Sequence, residues 1–173
     1  APGLKVQGKL AFGDLLPLRY DIMGPFSLIP FLECHHSIWS MKHKVWGNLS
    51  VNGKTFSFDG AQGYWEGDRG RSFPREYIWT QCSFPEGALM LSVADIPMGG
   101  FHFRGLIGVV LLDGREYRFA TYLGAKISEM GNGRVKVKQG SMELEAELLE
   151  RNGRALKAPE QGDMVRTIHE SAA

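Results

Sequence analysis

Val45-Trp46-Gly47-Asn48-Leu49-Ser50-Val51-Asn52-Gly53 is the stretch whose reading decides the fold class. Val45, Gly47, Leu49 and Val51 alternate with Trp46, Asn48 and Ser50. A period of two places one set on each face of a β-strand. The Asn52-Gly53 pair that follows suits a two-residue type I′ turn, in which both central residues need positive φ. The stretch therefore predicts a strand running into a tight hairpin. Three further Asx-Gly pairs, Asp113-Gly114, Asn132-Gly133 and Asn152-Gly153, predict hairpins in the same way. Their flanks alternate as well. Leu4, Val6, Gly8, Leu10 and Phe12 alternate with Lys5, Gln7, Lys9 and Ala11; Val135 and Val137 alternate with Lys136 and Lys138. Met142, Leu144, Ala146 and Leu148 alternate with Glu143, Glu145 and Glu147. Residues 141–150 are also rich in helix-forming Glu, Leu and Ala, but the alternation and the Asn-Gly pair after it favour a strand.

Leu106 to Tyr122 reads as strand, Asp-Gly turn, strand, and Leu106 to Leu112 is apolar on both faces, so it is expected at the centre of a sheet. No segment shows helical spacing with caps. Short strands joined by tight turns predict an all-β, antiparallel meander, arranged as a barrel or sandwich, with an up-and-down barrel the natural form. The stretch from Pro17 to Pro30 interrupts the pattern and is expected to connect two sheets or two barrel halves.

Composition excludes several classes. The 173 residues are 43% hydrophobic and 23% charged, with a net charge of +1, as in an ordinary globular protein. No Lys/Arg block appears, which argues against a nucleic-acid binder. The run Leu106–Leu112 is too short to span a bilayer. Lys5 and Lys9 break any apolar leader-like stretch near the start, while Ala1 in place of Met points to a removed leader or a piece of a longer protein. Cys34 and Cys82 are too few for a disulfide scaffold and form no Cys-x-x-Cys pair. They read as two reduced thiols, with a single bridge between neighbouring strands left open.

The segment most unlike generic β sequence is Gly63-Tyr64-Trp65-Glu66-Gly67-Asp68-Arg69-Gly70-Arg71-Ser72-Phe73-Pro74-Arg75-Glu76-Tyr77-Ile78-Trp79-Thr80-Gln81. It gathers aromatics, carboxylates and arginines. Gly67 and Gly70 bracket Asp68 and permit an unusual backbone there; Pro74 sets a turn before the strand Tyr77–Gln81. A carboxyl held among aromatic walls loses solvation and can act as an acid near neutral pH. The competing reading is a salt-bridged corner, with Arg69, Arg71 or Arg75 paired to Asp68 and Glu66.

This segment resembles the signature of the tocopherol cyclase family, including its bacterial tocopherol-cyclase-like members, roughly Gly-Tyr-x-Glu-x-Asp-Trp-Gly-x-x-Phe-Pro-x-x-Trp-x-Trp-x-Gln. Gly63, Tyr64, Glu66, Asp68, Gly70, Phe73, Pro74, Trp79 and Gln81 match it. Similar segments flank it: Gly24-Pro25-Phe26-Ser27, Pro30-Phe31-Leu32-Glu33-Cys34, His36, Ser40-Met41, His43 and Gly47 before, and Phe119-Ala120-Thr121-Tyr122 and Leu156-Lys157-Ala158-Pro159 after. Arg69 stands where the family usually has Trp, and Tyr77 where it often has Trp. Family members are considerably longer, so this chain resembles a fragment or a shortened version. On that reading, residues 1–16 finish a preceding sheet or barrel, and residues 17–173 form a lipocalin-like β domain, itself incomplete.

The resemblance implies a lipocalin-like β-barrel, or a pair of barrel halves, holding a hydrophobic small molecule such as a prenylated quinol or another isoprenoid. It implies acid-catalysed ring closure of a prenylated hydroquinone to a chromanol, with no redox cofactor. An acid protonates an alkene of the prenyl tail, and the phenol oxygen traps the tertiary cation. The acid is expected to be Asp68, or second Glu66. Tyr64, Trp65, Trp79 and Trp39 would offer aromatic faces to the cation, each contributing about 0.5–2 kcal/mol. His36 or His43 would take or orient the phenol proton, or Gln81 would hydrogen-bond it. Two other functions compete: a lipocalin-like carrier without chemistry, and a carotenoid hydratase-like enzyme using water as nucleophile. No metal site is expected, since His35 and His43 lie about 26 Å apart along an extended strand. His102 and His169 read as isolated structural or surface groups. A cytoplasmic location is expected, no export or spanning segment being seen, with contact to a membrane surface expected for a lipid substrate.

Overall fold

The computed structural model describes residues 3–30, 32–98, 100–150 and 153–170. They form twelve strands and no α-helix: β1 Val6–Phe12, β2 Cys34–Val51, β3 Lys54–Gly70, β4 Tyr77–Phe84, β5 Gly87–Met98, β6 Phe101–Leu112, β7 Arg115–Ala120, β8 Lys126–Gly131, β9 Arg134–Gln139, β10 Met142–Glu147, β11 Arg154–Glu160 and β12 Asp163–Glu170. Every pairing is antiparallel, in four sheets: β1-β2-β3, β4-β5-β6-β7, β8-β9-β10 and β11-β12. None of the four closes on itself. The all-β meander expected from the sequence is present; a closed barrel is not seen among the described residues.

Turn chemistry sets the hairpins. Asn52 and Gly53 have φ of 50° and 85°, Asp113 and Gly114 49° and 73°, and Asn132 and Gly133 52° and 79°, as type I′ requires. The fourth pair includes Asn152, which lies outside the described residues. A further turn, Gln161 (φ 52°) and Gly162 (φ 98°), joins β11 to β12 without an Asx signal. The Glu-rich segment is β10, as its alternation predicts. Glu143, Glu145 and Glu147 stand opposite Lys138, Lys136 and Arg134 of β9, and strand pairing overrides helix propensity.

The β4–β7 sheet is buried on both faces, and this organises the rest. Leu89, Leu91, Val93, Leu106 and Phe119 point to one side, where Val135 and Val137 of β9 cover them. Ala88, Met90, Ile107 and Val109 point to the other, against Met41 of β2 and Ile22 and Met23 of the segment between β1 and β2. The doubly apolar run Leu106–Leu112 therefore sits in an inner strand, as expected. Gly108 is required there, since a Cβ at that position would come within 2.8 Å of Leu91 Cδ1.

The Pro17–Pro30 stretch departs from its expected role. It joins β1 to β2, neighbours in one sheet, and lies across the β4–β7 sheet. Arg118 of β7 fastens it through the carbonyls of Tyr20 and Asp21. β1 itself is an edge strand whose alternation does not translate into burial: Val6 and Phe12 are about half exposed. Leu91, fully buried at the centre of this stack, gives the direct test of two-sided burial. Leu91→Ala should lower unfolding free energy by about 2–5 kcal/mol in urea titrations followed by tryptophan fluorescence.

Candidate functional site

Three residues of β3, spaced two apart, share one face: Tyr64, Glu66 and Asp68. Across the ladder, His36 of β2 pairs with Asp68, and Ile38 pairs with Glu66. His36 Nδ1 lies 3.0 Å from Asp68 Oδ1. Its Nε2 lies 3.1 Å from Glu66 Oε2, too oblique for a directed hydrogen bond, so the contact is electrostatic and Nε2 is a buried nitrogen without an aligned acceptor. Tyr64 Oη donates to the same Glu66 oxygen at 2.6 Å. Trp79 Nε1 reaches it from β4 at 3.2 Å, so the site straddles the seam between the β1–β3 and β4–β7 sheets. Cys34 Sγ, two residues before His36 and on the same face, donates to Asp68 Oδ1 at 3.4 Å.

The electrostatics follow from this enclosure. Burial works against the charged form of His36, but the Asp68 hydrogen bond and the contact with Glu66, with both carboxylate charges behind them, push its pKa up from 6.5 to about 9. An imidazolium thus sits between two carboxylates at neutral pH. Burial first, then the Asp68 charge and hydrogen bond, push the Cys34 thiol up to about 12 and keep it a donor. Burial, and then the hydrogen bond to Glu66, likewise raise the Tyr64 phenol. His36 directs its two nitrogens at different carboxylates, and no three such groups converge on a metal-sized point among the described residues.

The salt-bridged corner is not formed. Asp68 and Glu66 pair with His36, and Arg69, exposed and opposite His35, makes no ion pair among the described residues. Neither Gly67 nor Gly70 has positive φ. Gly70 is required for close approach instead, since a Cβ there would come within 1.9 Å of the Glu33 carbonyl oxygen, while a Cβ on Gly67 would push aside the exposed Trp39 ring at 2.7 Å.

Of the nine residues singled out from the sequence, eight divide between two groups and Gln81 stands apart. Asp68, Glu66, His36, Tyr64 and Trp79 come together. Trp39, Trp65 and His43 do not; they gather with Phe12 on the opposite face of β2–β3, with Trp39 and Trp65 ring centroids 5.6 Å apart and Phe12 edge-on to His43 at 5.3 Å. Bulges in β2 between Ile38 and Ser40 and between Ser40 and His43 break the simple alternation there. His43 is spent on structure. Its Nδ1 bonds Ser40 Oγ at 2.9 Å, and that hydroxyl accepts from Leu16 N, tying the β1–β2 connection to β2. Gln81 lies two residues beyond Trp79 on β4 and bonds Ser83 rather than the cluster. Cys34 was read only as a thiol, although its two-residue spacing from His36 would have placed it here. Both cysteines are free. His102 pairs with Asp95 at the surface, and His169 is exposed.

A sequence profile described as "Tocopherol cyclase-like" matches residues 4–172. The "Probable tocopherol cyclase, chloroplastic" of Oryza sativa subsp. japonica is 30% identical over 162 residues, covering 86% of this chain and 34% of the relative. The "Tocopherol cyclase, chloroplastic" of Zea mays is 29% identical over 161 residues, with coverage of 86% and 34%. The chain thus spans about a third of the length of these curated relatives. No solved structure matches. No helix among the described residues is long and apolar enough to cross a membrane.

The raised His36 pKa has a measurable sign. The folded value lies above the unfolded 6.5, so this stabilisation is complete below about pH 6.5 and lost as pH rises through about 9. Urea unfolding at stepped pH should show that decline, and His36→Gln should flatten it.

Proposed function

This chain belongs to the tocopherol cyclase-like family, and from that premise we propose that it closes the ring of a prenylated hydroquinone by protonating an alkene. The observation that carries the reading is His36 held between Asp68 and Glu66, with Tyr64 and Trp79 closing on the same carboxylate. The reaction is an isomerisation, so the proton used must be returned. His36 passes its proton to Asp68, which gives it to one alkene carbon and leaves a tertiary cation on the other. The phenol oxygen attacks that cation, the C–O bond forms, and the phenol O–H bond breaks. Glu66 takes the released proton and returns it to His36, which touches both carboxylates and so regains the imidazolium. No redox cofactor enters this balance.

The aromatic faces in reach of such a cation are Tyr64 and Trp79, whose ring centroids lie 6.5 Å apart; each contributes about 0.5–2 kcal/mol of cation–π attraction. The antiparallel meander is compatible with the lipocalin-like architecture that the family resemblance implies. A lipid substrate suggests work at a membrane surface. A carrier without chemistry would be favoured by Arg69 bonded to Asp68, and that bond is absent among the described residues. A hydratase would need water to reach the cation before the phenol does.

Asp68→Asn removes the proton donor while keeping the side chain's shape. Chromanol formation from a prenylated hydroquinone, followed by liquid chromatography, should fall by about 10²-fold or more. Full activity in that variant would sink the acid assignment. Glu66→Gln should slow turnover less, because water can accept the phenol proton.

A further inference from the structure

Beside Asp68 lies a cavity of ≈ 110 Å³ lined by Cys34, Asp68, Gly70, Ser72, Phe73 and Pro159. Pro159 comes from β11, far along the chain, and sits at a bulge between Ala158 and Glu160 where a missing N–H costs no ladder bond. The β11–β12 hairpin to which it belongs is not held by a large apolar core, since Leu156, Met164 and Val165 are all exposed. It is fastened to the β3–β4 connection by backbone bonds. Phe73 N donates to Pro159 O at 3.3 Å, Gly162 N to Arg71 O at 2.7 Å, and Gln161 N to the buried Ser72 Oγ at 2.7 Å. From β12, Arg166 donates to the carbonyls of Phe73 (3.0 Å), Pro74 (2.8 Å) and Arg75. The guanidinium fork spans three successive carbonyls, which lysine's single ammonium would match poorly.

We propose that the β11–β12 hairpin, clamped by Arg166, is the specificity-determining wall of the Asp68 pocket, and that Pro159 limits this pocket to one isoprene-sized branched unit. The inference rests on the function proposed above for its substrate class, and on the geometry of the hairpin for its selectivity. Size decides it. Drug-sized ligands occupy about 300–1,000 Å³, and liquid water takes about 30 Å³ per molecule. A cavity of ≈ 110 Å³ therefore admits a branched alkene terminus and leaves the aromatic head and remaining tail outside, along the seam marked by Trp79. Arg166 touches no reacting atom and is a positioning residue.

Three measurements on the whole chain separate this inference from the reaction. Calorimetric binding of isopentyl hydroquinone and cyclohexylmethyl hydroquinone, neither of which can cyclise, reads the wall alone. The branched probe should bind at least about tenfold tighter, as expected for a misfit of a methylene or more in an apolar pocket. Pro159→Gly, and Arg166→Gln by releasing the hairpin, should each bring that ratio below about threefold; Pro159→Ala serves if the glycine variant does not fold. Amide hydrogen exchange across residues 154–170 should rise in Arg166→Gln and not in the Pro159 variants. Turnover of dimethylallyl hydroquinone is measured in parallel. Shifted binding ratios without turnover uphold the wall and defeat the cyclase reading. An unchanged ratio in folded Pro159 and Arg166 variants overturns the wall, whatever the turnover.

Discussion

The burial of one sheet on both faces is the constraint on which the molecule depends. In β5, Leu89, Leu91 and Val93 face one layer, while Ala88 and Met90 face the other. Neither covering layer has an equivalent core of its own. The β8–β10 sheet presents Val135 and Val137 inward and a ladder of lysines, arginine and glutamates outward. The β1–β3 sheet contributes Met41 and the half-buried Ile38 and Tyr64. At roughly 25 cal/mol per Å² of apolar surface removed from water, each covering layer is held by what it buries against the middle one.

That arrangement determines where a polar cluster can exist. Tyr64 packs at the edge of the same apolar cluster that contains Met41 and Met90, while its hydroxyl is turned to Glu66. Carboxylates on this face of β3 are partly withdrawn from water, and the ladder partner His36 meets them as a cation. Without the imidazolium, two carboxylates two residues apart on one strand face would repel each other. The cluster is thus a consequence of the register between β2 and β3, and the glycines of the motif serve that register. Gly67 and Gly70 leave space for the Trp39 ring and the Glu33 carbonyl, letting the two strands approach closely around Asp68.

Much of the fold was legible along the chain because hairpins are local objects. The three described Asx-Gly turns and the two-residue alternation of β2, β9 and β10 are properties of neighbouring residues. The two-sided apolar run of β6 announced its inner position for the same reason. The Pro17–Pro30 connection was misread because its destination depends on Arg118, about a hundred residues away, and on which sheet offers an uncovered face. The site was legible in part. Tyr64, Glu66 and Asp68 lie two apart on β3, so their shared face is written in the strand period, whereas Trp65, between them, necessarily points the other way. His43 and Trp39 were drawn in by proximity in sequence, although each stands an odd number of residues from His36 and so falls on the opposite face by alternation.

By itself, the sequence determined the all-β class, the hairpin turns, the family and the carboxylates of the motif, because each is written in residues close together or in a contiguous pattern. Only the tertiary structure decided that His36, rather than an arginine, neutralises those carboxylates, and that Cys34 donates to Asp68. It alone brought Trp79 from the next sheet and Pro159 from the end of the chain to the same seam. Those outcomes depend on strand register and on packing between sheets, where the free energy of burying distant residues together chooses among partners that local pattern leaves equivalent.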